Sequence, residues 1–583
     1  MGLIKSNLYK WHRRFSLIIA IPVLLWAASG FMHPLMTNIR PKIATQGLPP
    51  VPVDSSRIRV SLQSALRQHH LDSFSNFRLV HIDTNWFYQV QLAARRSGNG
   101  EPAIANNSAN TGNPANAAYS GGAPNIPVYL SCINGNALPA GDWLYAQYLA
   151  REFLEGPAAL AAGIRSPAGS VPPARPDHSG DRATLVSTVS LTGVPAASSV
   201  PDCCGAATDC VLNPTKGAKV ANVSLLRDYD LEYKSINKIL PVYRVSFDRP
   251  DGIRVYVETT RDRFSFAMDN HRFVFDRIFT LVHTWAWLEF LGKGKLVIEF
   301  SLVAMAFLTT LMGIYIFFTT KTKAAKGNEL LTARRNHRYV SITIALFTGM
   351  FTFSGAFHVL SKFKEDTRDR FFVSPSFAAA DLKFDFSRLQ ELTAAPITGV
   401  SIVNLYGRSY WQITTQQGAP DHPKDLMKDA QATPSPVIYR QVDSPNNILP
   451  QGELKYAGYL AATFSGQSPK NILSTAPVLR FTSEYNFADK RLPVWKVSFA
   501  SNSNERYYVE TSTGRLSKRV TDNSMLEEYS FAFLHKHEFM GWGGKGVKDL
   551  STMFWALAQI VMVTVGLILY FKYRKRVKAK SNG

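Results

Sequence analysis

Hydrophobic positions in this chain gather into four long runs, and the stretches between them either alternate polar with apolar residues or follow no period. Two of the runs match. Residues 15–33 and 339–358 contain no charged side chain. His12 and His33 flank the first and His337 and His358 the second, the members of each pair 21 positions apart. A helix rises about 1.5 Å per residue, so 21 residues span roughly 31 Å, close to the hydrocarbon thickness of a bilayer. Both runs place Ser-Gly shortly before the second histidine, at Ser29-Gly30 and Ser354-Gly355. Residues 296–318 and 553–570 are also long and apolar enough to cross, which predicts four spans. The mean hydropathy of −0.08 hides them because most of the chain lies in two loops, 37–295 and 361–549.

The loops repeat one another as the spans do. Residues 240–247 read LPVYRVSF and 492–499 read LPVWKVSF, followed by RVYVET at 254–259 and RYYVET at 506–511. Alternation of this kind predicts hairpins, with Asp251-Gly252 supplying a turn in the first. Earlier strand-like segments occur at 77–80 and 87–91, and again at 397–400 and 410–413. Each loop is thus expected to hold a small α+β domain. Residues 97–214, rich in Ala, Gly, Asn, Pro and Ser, read as a largely irregular insertion, with a shorter counterpart at 416–467. A third histidine follows each hairpin, His283 and His535, and Gly-Lys-Gly follows each in turn at 292–294 and 544–546. The duplication therefore covers the whole chain, with His537 aligned to Trp285.

Charge sets the expected orientation. The segments flanking the spans hold Lys5, Lys10, Arg13 and Arg14; then Lys321, Lys323, Lys326, Arg334, Arg335 and Arg338; then Lys572, Arg574, Lys575, Arg576, Lys578 and Lys580. These 16 of 65 basic residues, with Glu329 the only acid among them, carry +15 of the net +22. The excess is a topology signal that puts both termini in the cytoplasm and both loops outside, and it gives no reason to expect nucleic acid as a partner. All four cysteines, Cys132, Cys203, Cys204 and Cys210, fall in the first loop, where disulfides can persist. Three pairings are open, with the adjacent Cys203 and Cys204 expected to bond different partners. The first run has the basic start and small residues of a cleavable leader. A leader has no reason to share its histidine spacing with a segment 325 residues later, so the run is read as a retained span.

A histidine at a span end can simply cap a helix or lie among headgroups. Six histidines kept at matching depths in two copies ask for more, and a cofactor gripped from two helices requires that arrangement. Two imidazoles can hold a haem iron from opposite sides. His12, His33, His283, His337, His358 and His535 are the candidate axial ligands of two or three haem b groups, with His537 a further candidate iron ligand. His12 with His337 is one axial pair; His33, His283, His358 and His535 all fall at the outer edge, their pairing open. Arg13, Arg14, Arg335 and Arg338 suit either haem propionates or the topology signal alone. No Cys-x-x-Cys-His occurs, which argues against covalent haem, and no carboxylate-histidine motif favours zinc. Tyr233, Tyr243, Tyr485 and Trp495 are expected in the sheet cores, near any pocket between the two domains.

Trp11-His12-Arg13-Arg14, the strand pair from Tyr243 to Glu258, His283 followed by Gly292-x-Gly294, and the second-half counterparts of these resemble the PepSY-associated transmembrane family, which includes inner-membrane ferrisiderophore reductases. The likeness covers the four spans and both loop domains but not residues 97–214. It implies an integral membrane α-helical fold, with four transmembrane helices in a pseudo-twofold duplicated bundle and two exported α+β PepSY-like domains. It also implies haem b, a location in a bacterial inner membrane, and reduction of an exported ferric chelate. Some relatives carry a fused flavin and nicotinamide module; here Gly583 follows soon after the last span, and no nucleotide-binding glycine motif is evident. The expected electron donor is therefore a quinol or a separate cytoplasmic reductase, and membrane lipid is the other expected partner. The alternative is a non-enzymatic PepSY membrane regulator or inhibitor of an exported peptidase, a reading that leaves the six histidines without a role.

Overall fold

The computed structural model describes residues 2–93, 119–120, 126–156, 217–321, 327–363, 371–416 and 435–581. Cys203, Cys204, Cys210, His178 and His422 lie outside these residues, so the disulfide expectation for the first three is not addressed. The helices in chain order are α1 (Gly2–Asn38), α2 (Leu62–Gln68), α3 (Gly141–Glu155), α4 (Asn270–His283), α5 (Lys293–Thr319), α6 (Glu329–Ser361), α7 (Gly452–Ser465), α8 (Asp522–Ser530) and α9 (Gly544–Ser581). The chain divides into two compact units. A helical unit takes Met1–Arg40, Asn270–Asp366 and Asp522–Gly583, and a sheet unit takes Pro41–Asp269 and Thr367–Thr521.

Among the described residues, α1, α5, α6 and α9, all in the helical unit, are the four helices long and apolar enough to cross a membrane. Helix α1 packs against α5 and α9, and α6 packs against the same two, so α1 and α6 stand diagonally across the bundle. Serine and threonine hydroxyls within the spans bond back to carbonyls four residues earlier, which satisfies these polar groups inside each helix. Asn328 caps α6 by accepting from the Leu330 and Leu331 amides. The short helices enter this unit as repeats. Helix α4 packs on α1, and α8 with the π turn Phe531–His535 packs on α6.

Within the loops read from sequence, 37–295 and 361–549, the boundaries between the compact units fall after Asp269 and after Thr521. Residues 270–295 and 522–549 belong with the helices, because α4 and its counterpart turn Phe279 and Phe531 onto His33 and His358.

The sheet unit holds two copies of one pattern. In the first, β1 (Ser73–Ile82), β2 (Asn85–Leu92) and β4 (Val128–Ser131) form an antiparallel sheet, and β5 (Val220–Leu226), β6 (Val242–Phe247), β7 (Arg254–Glu258) and β8 (Arg263–Met268) form another; β3 (Tyr119–Ser120) joins the other copy. In the second copy, β9 (Phe372–Val373) and β10 (Phe377–Ala378) precede β11 (Ile397–Leu405), β12 (Arg408–Thr415) and β13 (Val437–Gln441), and β14 (Ile472–Val478), β15 (Val494–Phe499), β16 (Arg506–Glu510) and β17 (Arg515–Val520) complete it. Both hairpins expected from the repeated strings are present, as β6–β7 and β15–β16.

Three features depart from the sequence reading. Within residues 97–214, β4 and α3 are regular structure, matched at 416–467 by β13 and α7, so each "insertion" contains part of the repeat itself. The match extends to side chains. Gln89, Tyr129 and Asp142 form a buried hydrogen-bonded chain, and Gln412, Tyr439 and Glu453 form its counterpart. Second, the two copies are one compact unit, because Phe77, Tyr88 and Leu130 share a core with Phe386, Trp411 and Ile413. Third, Cys132 is a free thiol buried in that shared core. Burial pushes the thiol well above its ordinary range, which leaves it inert.

Candidate functional site

The duplicated histidines lie in the helical unit at two levels. At one, His12 on α1 lies against α5, where its Nδ1 is 3.2 Å from the Thr309 carbonyl oxygen. A carbonyl only accepts, so Nδ1 carries the proton and Nε2 keeps its lone pair. His337, on the diagonal helix α6, lies against α9 with Nδ1 3.3 Å from Ser341 Oγ. Each ring rests over a glycine of the neighbouring helix. A Cβ at Gly313 would stand 3.3 Å from His12 Cε1, and one at Gly566 would stand 3.3 Å from His337 Cε1. These glycines give the imidazoles room that any side chain would take.

At the other level four histidines gather. His283, at the end of α4, has Nδ1 2.9 Å from Ser29 Oγ, and the Trp26 indole donates to its carbonyl at 3.1 Å. His535 repeats this, with Nδ1 3.2 Å from Ser354 Oγ. The His283 and His535 rings are neighbours, edge to face, with centroids 6.3 Å apart and planes at 80°. Outside each stands a phenylalanine and then the remaining histidine. Phe279 lies between His33 and His283, and Phe531 between His358 and His535.

The structure thus groups the six histidines named from sequence as two at one level and four at the other, with His283 and His535 deeper than the outer edge. Because His283 meets Ser29, one helical turn inward of His33, the central pair sits about 6 Å deeper than the outer edge. The separation along α1 from His12 to this level is 17 residues, about 26 Å, in place of the 31 Å measured to His33.

The two halves differ at two points. His358 Nδ1 bonds to Glu527 at 2.6 Å, whereas the residue aligned with Glu527 is Phe275. His537 and its counterpart Trp285 both sit in left-handed backbone, and His537 Nε2 and Trp285 Nε1 are buried with no hydrogen-bond partner among the described residues. Beyond His537 a run of rings continues inward through Phe351 and Phe347, the latter stacked at 3.6 Å on Trp555.

The arginines set beside His12 and His337 have other work. Arg338 donates to the Phe317 carbonyl at 2.5 Å and to Thr320 at the end of α5, and Arg13 lies over the Tyr573 ring. In the sheet unit, Tyr233 and Tyr485 are core residues, each bonding a nearby carbonyl and a buried serine. Trp495 bonds Glu453 at 2.7 Å and lines a cavity of about 360 Å³ with Tyr439 and Leu454, inside the second copy.

Sequence reading passed over Thr309, Gly313, Gly566 and Glu527, for which it offered no signal. It saw Ser29 and Ser354 only as part of the repeat. No protein-family model matches the chain, and a search of curated proteins finds no match.

Proposed function

We propose that this protein is a transmembrane haem-b oxidoreductase, of the PepSY-associated transmembrane type, that carries electrons across a bacterial inner membrane to an exported ferric chelate. The observation that carries the reading is the His283–His535 pair. Two imidazoles each about 2 Å from one metal ion place their centroids roughly 6 Å apart, and the observed 6.3 Å meets that requirement. Ligating histidines characteristically give their other ring proton to a fixed acceptor. The Thr309 carbonyl is such an acceptor for His12, and Ser29 and Ser354 stand in the same position for His283 and His535. A pair of neighbouring imidazoles is the donor set that an iron already held by a macrocycle takes.

His283 and His535 would hold one haem, and His12 and His337, on diagonal helices over Gly313 and Gly566, the other. Haem b supplies one-electron chemistry at a potential set by its axial ligands and its burial. The chain's part is to fix four imidazoles, to keep their Nε2 atoms unprotonated and to exclude water with the apolar faces of α1, α5, α6 and α9. His33 and His358 flank the outer haem beyond Phe279 and Phe531. The basic segments put the His12 level on the cytoplasmic side, so electrons would enter there from a quinol or a separate reductase. Ferric iron reduced outside the membrane is held less tightly by hard oxygen donors, so iron release needs no bond of the chelator to break. No nucleophile or general base is required.

A dithionite-reduced minus oxidised spectrum of the purified protein, with pyridine haemochrome quantitation, tests this. Two b-type haems per chain are expected. A protein expressed with ample haem and spectrally blank would overturn the reading in favour of a regulator.

The glycines give a second test. Gly566→Leu drives a branched side chain into the 3.3 Å space beside His337 and should halve the haem content, whereas Gly566→Ala, which asks its neighbour to shift by a few tenths of an ångström, should retain most of it. Equal haem in the two variants would mean that the glycine makes no room for a cofactor.

A further inference from the structure

We infer that Ser29 and Ser354 are positioning residues that fix the tautomer and aim of His283 and His535; the inference rests on the haem reading above. A serine hydroxyl has one proton to give. Ser29 Oγ lies 2.7 Å from the Leu25 carbonyl and 3.1 Å from that of Trp26, and Ser354 Oγ lies 2.8 Å from the Met350 carbonyl and 3.1 Å from that of Phe351. Carbonyls only accept, so each hydroxyl proton is committed to its own helix. What Ser29 presents to His283 Nδ1 at 2.9 Å, and Ser354 to His535 Nδ1 at 3.2 Å, is a lone pair. Each imidazole must then carry its proton on Nδ1 and leave Nε2 bare. Both serines are 1 % exposed, so water does not compete for the contact.

The arrangement is a substitute for the carboxylate or carbonyl that usually orients a ligating histidine. It suits a site inside a membrane, because it adds no charge to the apolar interior. It also explains the spacing of the repeated Ser-Gly. The serine lies four residues before His33 and four before His358, yet it serves the third histidine of its own half, brought alongside by α4 or by the π turn after α8.

The test uses the purified full-length protein carrying Ser29→Ala, Ser29→Cys, Ser29→Thr and the same changes at Ser354. Readouts are the rate of haem loss to an excess of a haem-scavenging apoprotein and the midpoint potential of each haem. Alanine removes the acceptor, and cysteine keeps the volume but accepts weakly. Both should speed loss of one haem by about 10–100-fold, the usual consequence of removing a histidine's outer partner, and should move that haem's potential. Threonine retains the hydroxyl and should restore wild-type behaviour. The haem between His12 and His337 stays in place and reports that each variant is folded. Wild-type release and potential in the cysteine and alanine variants would overturn the inference while leaving the haem reading intact. Retention of both haems by His283→Ala and His535→Ala, or a haem-free wild type, would overturn the axial assignment and this inference with it.

Discussion

Replacing either His12 or His337 with alanine is expected to remove one haem per chain and to leave the other spectrally unchanged. In the haem reading proposed above each ring is one of two axial donors, and among the described residues neither has a neighbour placed to substitute for it. Gly313 and Gly566 stand at the positions opposite, and the nearest polar groups, the Thr309 carbonyl and the Ser341 hydroxyl, are already committed to the Nδ1 atoms. The two substitutions should be equivalent, because a haem held from diagonal helices loses its second ligand whichever side is cut. Electron delivery to a ferric chelate from a donor on the opposite face should fall to background, while reduction of the remaining haem by dithionite from its own side persists. Haemochrome quantitation of the single and double variants decides the matter. The double variant should lose no more haem than either single variant, and a further drop would show that His12 and His337 serve different haems.

What the sequence made legible was what it repeats. The histidine spacings, the LPVYRVSF and LPVWKVSF strings and the Gly-Lys-Gly segments are local, and each recurs with its partners at fixed distance, so the four long helices and the two β hairpins follow from pattern alone. What stayed hidden depends on contacts between distant segments. Strand β4 and helix α3 lie within residues 97–214, whose composition masks them, and their identity shows only when Tyr129 and Asp142 are seen to copy Tyr439 and Glu453. That β1 and β2 share a core with β11 and β12 is equally invisible, because alternation tells which face of a strand is apolar but not which sheet covers it. The site follows the same rule. Six histidines could be named, yet the depth of His283 and His535 is set by how α4 and the π turn after α8 lie along the spans. The role of Ser29 follows from a partner 254 residues away.

The largest stability effect is expected at the junction between the two copies of the sheet unit. Arg491 lies 3.1 Å from Glu258 and 3.0 Å from Glu510, and Arg263 bonds the same two carboxylates, Glu258 at 2.7 Å. Glu258 and Glu510 occupy equivalent positions in β7 and β16, so one arginine from each copy ties both carboxylates together. Both glutamates are 1 % exposed. Burial alone would raise their pKa values, but Arg491 and Arg263 outweigh it and hold both carboxyls below the ordinary 4.5. Depressed carboxyls contribute stability that is fully present above pH 4.5 and is lost as pH falls from there through their folded values. Arg491→Met leaves buried carboxylates short of a partner and should cost about 3–5 kcal/mol. Removing the exposed pair Lys219–Asp248 by Lys219→Ala should cost less than about 1 kcal/mol. Urea unfolding followed by tryptophan fluorescence reads the difference, since Trp411 lies fully buried in the core that the two copies share. The wild-type transition should move to lower urea as pH drops below 4.5, and the Arg491→Met transition should move less, having already lost part of what acid removes. Transitions for Arg491→Met and Lys219→Ala that coincide would show that the two copies are held together by their apolar core alone.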